Sequence, residues 1–80
     1  EVVKLGVLCL VEWQDILATC GWEKKDEVEP PRFWTVGYLV QRDKKVVKIA
    51  NTTDEKKEFY AFHAFPIGCV VSIKEIKGNL

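Results

Sequence analysis

The sequence predicts a small, mainly β protein, an antiparallel barrel of about five strands. Four apolar runs separated by polar turns carry this prediction: Phe33–Gln41, Val46–Ala50, Phe59–Phe65 and Cys69–Ile76. Short strands at nearly regular spacing are typical of small barrels. Hydrophobic residues make up 48% of the 80 residues, so residues 1–80 have enough apolar side chains for the core of one domain.

The first strand is predicted over Val2–Val11, where apolar residues occupy both alternating faces. Such a run is typical of a strand that is buried on both sides or bent across a barrel. Apolar side chains then follow helical spacing from Trp13 to Cys20. One short helix near residues 13–20 and an irregular loop are both compatible with this spacing.

The remaining elements follow in order along the chain. An exposed acidic loop is predicted over Trp22–Arg32, because its acidic residues outnumber its lysines. In the second strand, Gly37 predicts a bend or bulge. Polar turns are predicted at Asp43-Lys44-Lys45 and at Asn51–Lys57, and Pro66-Ile67-Gly68 is predicted to form one turn of 3₁₀ helix.

Alternation of side chains in these strands also predicts which residues are buried, because alternate residues point to the same face. The predicted core consists of Val7, Leu39, Val47, Ile49, Val71 and Ile73.

Charge and cysteine usage limit the classes of protein. Twelve basic and twelve acidic side chains cancel, so no overall field favours nucleic acid or an anionic membrane. No apolar run approaches the roughly 20 residues of a membrane-spanning helix. The three cysteines are an odd number without framework spacing, which favours reduced thiols. We expect a cytoplasmic protein that does not enter the membrane.

Several short motifs, taken in order, resemble those of small uncharacterised proteins encoded by phages and prophages. They are Trp13-Gln14-Asp15, Gly21-Trp22, Val36-Gly37-Tyr38-Leu39-Val40, Phe65-Pro66-Ile67-Gly68 and Val70-Val71-Ser72-Ile73. The resemblance covers most of the chain from Val11 to Ile76. It implies an Sm-like or SH3-like small β-barrel and a mobile-element origin, and it implies no assigned activity.

Two groups of residues have the side-chain types of a reactive site. Cys9, Cys20, Cys69 and His63 are zinc-ligand types, but no two of them form the close pair that structural zinc sites use. Cys20, His63 and Asp15 have the types of a nucleophilic set, yet nothing in the sequence indicates an oxyanion hole or a substrate cavity. We therefore expect no enzymatic activity, no metal, no cofactor and no small-molecule substrate.

The aromatic side chains exceed what one inner barrel face can hold, so some are expected near the surface. Aromatic residues concentrate in binding interfaces, and capping of the barrel ends is the alternative role. Near-zero net charge removes long-range repulsion between copies. We expect a homo-oligomer or a protein partner. The candidate interaction surface consists of Trp22, Trp34, Tyr38 and Tyr60.

A basic hairpin tip offers an alternative function. Arg42, Lys44, Lys45 and Lys48 cluster there with Asp43 as the sole acid. Combined with neighbouring aromatic rings, these cations have the composition of a weak single-stranded nucleic-acid site. Lysines at a hairpin also protect strand edges from aggregation, and we expect this role in preference to nucleic-acid binding.

Overall fold

The computed structural model describes residues 2–16 and 21–77. Its strands are β1 (Leu8–Gln14), β2 (Arg32–Arg42), β3 (Val46–Thr53), β4 (Phe59–Pro66) and β5 (Val70–Glu75). All neighbouring strands are antiparallel, in one sheet of order β4-β3-β2-β1-β5. The predicted mainly β, five-stranded antiparallel architecture is confirmed. The sheet is open, with β4 and β5 at its edges, so the predicted closure into a barrel is not observed.

Two short 3₁₀ turns complete the described elements, at Lys25–Glu27 and at Ile67–Cys69. The second turn confirms the step predicted from Pro66-Ile67-Gly68. It connects β4 to β5, and the Ile67 amide donates a hydrogen bond to the Lys45 carbonyl at 2.9 Å. This bond ties the step to the turn between β2 and β3.

The first strand begins later than predicted. It starts at Leu8 because the chain turns at Gly6, whose φ of 86° is in the left-handed region that favours glycine. The Gly6 amide donates to the Leu39 carbonyl at 2.6 Å and fixes this turn against β2. Trp13 and Gln14 belong to β1, so the predicted helix does not begin there, and its residues 17–20 lie outside the described residues.

The core lies on one face of the sheet, called here the inner face. It is formed by Val3, Cys9, Val11, Leu39, Val47, Ile49, Phe65 and Ile73. The prediction is therefore confirmed for Leu39, Val47, Ile49 and Ile73, and Val7 packs against this cluster while partly buried.

The prediction that Val71 belongs to the core is wrong, since 47% of Val71 is exposed. The β1–β5 register shifts between Glu12 and Trp13, and it pairs Trp13 with Val70. This irregularity breaks the alternation on which the prediction depended. Val70 packs against the core in place of its neighbour.

Gly37 is required by close packing between β2 and β3. A Cβ atom at this position would lie 2.8 Å from the Ala50 carbonyl oxygen and 3.0 Å from Ile49 Cδ1. The β2–β3 register shift lies between Leu39 and Gln41, a few residues after the predicted bend. Gly37 therefore permits the close approach of the β2 and β3 backbones. The bulge itself lies between Leu39 and Gln41.

The sheet is strongly curved. Trp13 on β1 and Phe65 on β4 lie with their ring centroids 5.2 Å apart, although β2 and β3 separate these strands in the sheet. The Phe33 ring stacks on Trp13 with a centroid distance of 4.9 Å, and the His63 ring lies 6.4 Å from that of Phe65. An aromatic row therefore runs from Phe33 to His63 along one end of the inner face.

Candidate functional site

The face opposite the core, called here the outer face, carries a row of apolar side chains across four strands. Leu8 pairs with Tyr38, Tyr38 with Ala50, and Ala50 with Phe62. Residues paired across strands share a face, so the four side chains are neighbours. Phe62, at the end of the row, is 59% exposed. The row therefore ends in an accessible phenyl ring at the edge of the sheet.

A second exposed group lies further along β2. Trp34 is 59% exposed and pairs with Glu12, whose carboxylate accepts hydrogen bonds from Arg32 Nη1 at 2.9 Å and from Ser72 Oγ at 3.2 Å. Val36, between Trp34 and the apolar row, is also exposed. The outer face thus presents large apolar groups beside one anchored ion pair.

The edge strand β4 contains no aspartate, glutamate, lysine or arginine. Its residues from Tyr60 to Ala64 are exposed, and Ala61 has a positive φ of 60°. Natural proteins usually protect an edge strand with charges or irregular backbone. The backbone at Ala61 is the irregularity, and no charged side chain of β4 adds to it.

Tyr60 is anchored at its hydroxyl end. The hydroxyl oxygen lies 2.9 Å from Asp54 Oδ2 and 3.1 Å from Glu58 Oε2. Hydrogen bonding to these carboxylates raises the pKa of Tyr60, and Asp54 has the larger effect. Asp54 Oδ1 accepts hydrogen bonds from the amides of Glu58 and Lys56. The Glu58 amide, more than any other group, lowers the pKa of Asp54.

The predicted surface residues lie in separate places. Trp22 is fully exposed and belongs to none of the strands, whereas Trp34, Tyr38 and Tyr60 lie on the strands described above. Tyr38 is half-buried and packs on Phe59 with a centroid distance of 5.8 Å. The structure therefore brings Tyr38 to the outer-face row and places Trp22 in a loop.

The basic hairpin lies at the β2–β3 turn, with Arg42, Lys44 and Lys45 exposed and Lys48 half-buried. Asp43 organises the turn. Its carboxylate accepts hydrogen bonds from Gln41 Nε2 and from the amides of Lys45 and Val46, at 2.8, 2.8 and 2.9 Å. These hydrogen bonds lower the pKa of Asp43. The bond from Gln41 contributes most, and the two amide bonds add to it. A stable negative charge therefore lies inside the basic hairpin.

Trp34 and the basic hairpin are far apart. Trp34 and Arg42 are separated by eight residues of the same strand, or about 26 Å at 3.3 Å per residue. Lys48 instead lines a shallow outer-face cavity of about 440 Å³, together with Phe62, Val40, Gln41 and Ala64. Lys48 and Phe62 thus share one outer-face cavity, whereas Trp34 lies far from the hairpin.

A larger cavity, of about 540 Å³, lies beside the aromatic row of the inner face. It brings together Trp13 and Asp15, at the end of β1, and Phe65 and Pro66, at the end of β4. Its other described lining residues are Ile16, His63, Ala64 and Cys69. Two of the motifs quoted above, Trp13-Gln14-Asp15 and Phe65-Pro66-Ile67-Gly68, therefore meet at one cavity.

Three of the five residues considered for a reactive site line one cavity, and Cys9 lies apart from them. Cys9 is fully buried in the core, where desolvation raises the pKa of its thiol and the charge of Arg42 opposes this in part. Cys69, His63 and Asp15 line the larger cavity, and Cys20 lies outside the described residues. Within residues 2–16 and 21–77, no three His, Cys, Asp or Glu side chains are grouped as metal ligands. In the same ranges, no helix has the length and apolarity of a membrane crossing.

Sequence reasoning missed Val36, Phe62 and the inner cavity as parts of a site. Val36 lies two residues from both Trp34 and Tyr38 in the same strand, and this spacing indicated that it shares their outward orientation. The cavity had a weaker signal, because it depends on the curvature that brings β1 close to β4.

Comparison of the chain with models of known protein families, with curated protein sequences and with solved structures gave no match.

Proposed function

We propose that this protein acts without catalysis, through contacts with other protein chains, and that its first partner is a second copy of itself. The observation that carries the proposal is the uncharged, exposed edge strand β4, which is continuous with the apolar row of the outer face. We place the protein in the cytoplasm, consistent with the free thiols of Cys9 and Cys69.

Two copies are proposed to pair through β4, antiparallel about a two-fold axis. The closed symmetry of such a dimer uses the same strand from both copies. Self-pairing of β4 brings no Lys, Arg, Asp or Glu side chains of the strand into opposition, and it places Phe62 of each copy near the shared edge. The other edge strand, β5, carries Lys74 and Glu75. Charged side chains and irregular backbone both disfavour strand addition. β5 combines charges with a register shift, whereas β4 has only the irregular backbone at Ala61, so β4 is the preferred edge.

The test is sedimentation at micromolar concentrations, with one lysine introduced on each edge strand. Phe62→Lys places a charge on β4, and Val71→Lys is its matched control on β5, where the native side chain is also exposed. The parent and Val71→Lys are expected at twice the 9.2 kDa of one chain, and Phe62→Lys at 9.2 kDa. Circular dichroism and thermal melting check that both variants fold.

Two outcomes contradict the proposal. A parent chain that sediments at 9.2 kDa throughout this range excludes self-association as the function. A dimer that is lost in Val71→Lys and kept in Phe62→Lys places the contact on β5.

A second candidate function is weak binding of single-stranded nucleic acid. The cavity shared by Lys48 and Phe62 supports it, because a cation beside a phenyl ring can contact a phosphate while the ring stacks on a base. An oligonucleotide titration at several salt concentrations tests this, since phosphate contacts weaken steeply with salt. Lys48→Gln is expected to reduce the salt dependence, and Lys56→Gln, at the opposite turn, to leave it unchanged.

The proposal also includes a phage or prophage origin and an Sm-like or SH3-like barrel. The order of the quoted motifs and the five antiparallel strands support this assignment. Phage genes on either side of the coding sequence are the expected finding. A position among conserved housekeeping genes contradicts a mobile-element origin.

A further inference from the structure

The inner cavity is a second candidate site, lined by residues of β4 and of the end of β1, and it lies on the inner face of the sheet, whereas the proposed pairing uses the backbone edge of β4. Its volume of about 540 Å³ falls within the 300–1,000 Å³ of typical small-molecule sites. Most of its described lining is apolar and includes Trp13, Phe65, Ile16 and Pro66. Concave apolar sites with a small number of polar groups are the usual form of ligand pockets.

The aromatic walls offer ring surface and few hydrogen-bond donors. The Trp13 indole Nε1 donates to Thr35 Oγ1 at 2.9 Å, so its single N–H group is already engaged within the fold. Phe65 packs against both Trp13 and His63. Trp13 therefore offers a ligand ring surface without a free N–H donor, and Phe65, which is 5% exposed, adds a small area. The negative face of an aromatic ring attracts cations.

Asp15 gives the cavity its charge. The Asp15 amide donates to the Pro31 carbonyl at 3.0 Å, and its Oδ1 accepts a hydrogen bond from the Ile16 amide at 2.8 Å, so the carboxylate is held at the end of β1. No lysine or arginine is among the described residues that line the cavity. A carboxylate beside aromatic rings is complementary to a positive charge and repels an anion.

From this combination we propose that the cavity binds a small organic cation, an ammonium or methylated ammonium group attached to an apolar body. The charged group lies between Asp15 and the rings of Trp13 and Phe65, and the apolar body covers Ile16 and Pro66. Quaternary and methylated ammonium ions suit aromatic walls because they carry charge with little hydration to lose.

The probe is benzyltrimethylammonium, and binding is followed by the indole ¹H–¹⁵N NMR signals. Trp13→Phe assigns the Trp13 signal, and the exposed Trp22 and Trp34 report non-specific contact of the cation with rings. We expect saturable movement of the Trp13 signal alone. Two comparison ligands of similar size carry other charges: benzyldimethylamine N-oxide is neutral and benzylsulfonate is an anion. Both are expected to bind at least tenfold more weakly.

Asp15→Asn tests the role of the carboxylate, because asparagine retains the Oδ1 acceptor for the Ile16 amide while it removes the charge. It is expected to weaken binding of the cation by about threefold to tenfold and to leave binding of the N-oxide unchanged. Asp26→Asn is the matched control, with the same loss of charge in the Lys25–Glu27 turn. It is expected to leave both affinities unchanged.

Three results overturn the inference. They are equal affinity for the cation and the N-oxide, equal loss of affinity in Asp15→Asn and Asp26→Asn, and joint movement of all three indole signals at one concentration. The titration is repeated with Phe62→Lys, so that the result does not depend on whether the chain dimerises.

Discussion

Two valine residues with opposite environments allow a quantitative test of the fold. Val47 is fully buried in β3, and Val71 in β5 is 47% exposed. Val→Ala removes two methylene equivalents, worth about 1.6 kcal/mol of transfer free energy when the side chain is buried. The cavity left behind raises the free-energy cost at Val47 to about 2–3 kcal/mol. At Val71, where about half of the side chain already contacts water, less than about 1 kcal/mol is expected.

Thermal and denaturant unfolding of the two variants measure this difference. For a domain of this size, about 1 kcal/mol corresponds to a shift of about 4–8 °C in Tm. Val47→Ala is therefore expected to lower Tm by about 10–20 °C, and Val71→Ala by a few degrees. Equal losses in the two variants would refute the register shift between Glu12 and Trp13, because regular pairing is what puts Val71 in the core.

Two further predictions concern a close backbone contact and a charged turn. Gly37→Ala is expected to destabilise the fold by about 1–3 kcal/mol, because the new Cβ atom meets a carbonyl oxygen of the neighbouring strand at 2.8 Å. Gly68→Ala, where a Cβ atom meets nothing within 4 Å, is the control, and an equal loss of stability there would contradict the steric explanation. Asp54 has its pKa lowered in the folded protein, so its stabilisation is present above the unfolded pKa near 3.8 and is lost as the pH falls through the lower folded pKa. Asp54→Asn is accordingly expected to lower Tm at pH 7 and to have less effect near pH 2, and a pH-independent difference would contradict this reasoning.

Strand positions could be predicted from the sequence because alternation is a local property. Leu39, Val47 and Ile49 are buried as expected, since the β2–β3 hairpin has a short turn and its two strands pair directly. Val71 was mispredicted because the shift in the β1–β5 pairing depends on contacts between strands distant in sequence. Val71 is the extra residue of β5 between the pairs Glu12–Ser72 and Trp13–Val70, and alternation within β5 alone does not reveal where its pairing with β1 places such a bulge.

The candidate surfaces were predictable to different extents, because some depend on local alternation and others on the arrangement of strands that are distant in sequence. The outward orientation of Trp34 follows from its position in an alternating run. The exposure of Phe62 depends on β4 being an edge strand, which only the order of strands in the sheet decides. The inner cavity depends on still longer-range geometry, because Trp13 and Phe65 approach each other only when the sheet curves.

The inner cavity is built from side chains that also stabilise the fold, so its occupancy and the stability of the protein are linked. Phe65 belongs to the core and lines the cavity, and removal of a buried phenyl ring typically costs about 3–5 kcal/mol. A domain of 80 residues has only about 4–12 kcal/mol of stability in total. Asp15 is exposed and makes its amide contacts at the end of β1, so its charge can be removed without opening the core. A ligand at a hundred times its Kd adds about 2.7 kcal/mol to the free energy of unfolding, a large fraction of that total. A ligand bound in the cavity therefore raises Tm. Substitution of Asp15 changes the affinity for the ligand without opening the core, whereas substitution of Phe65 changes both affinity and stability.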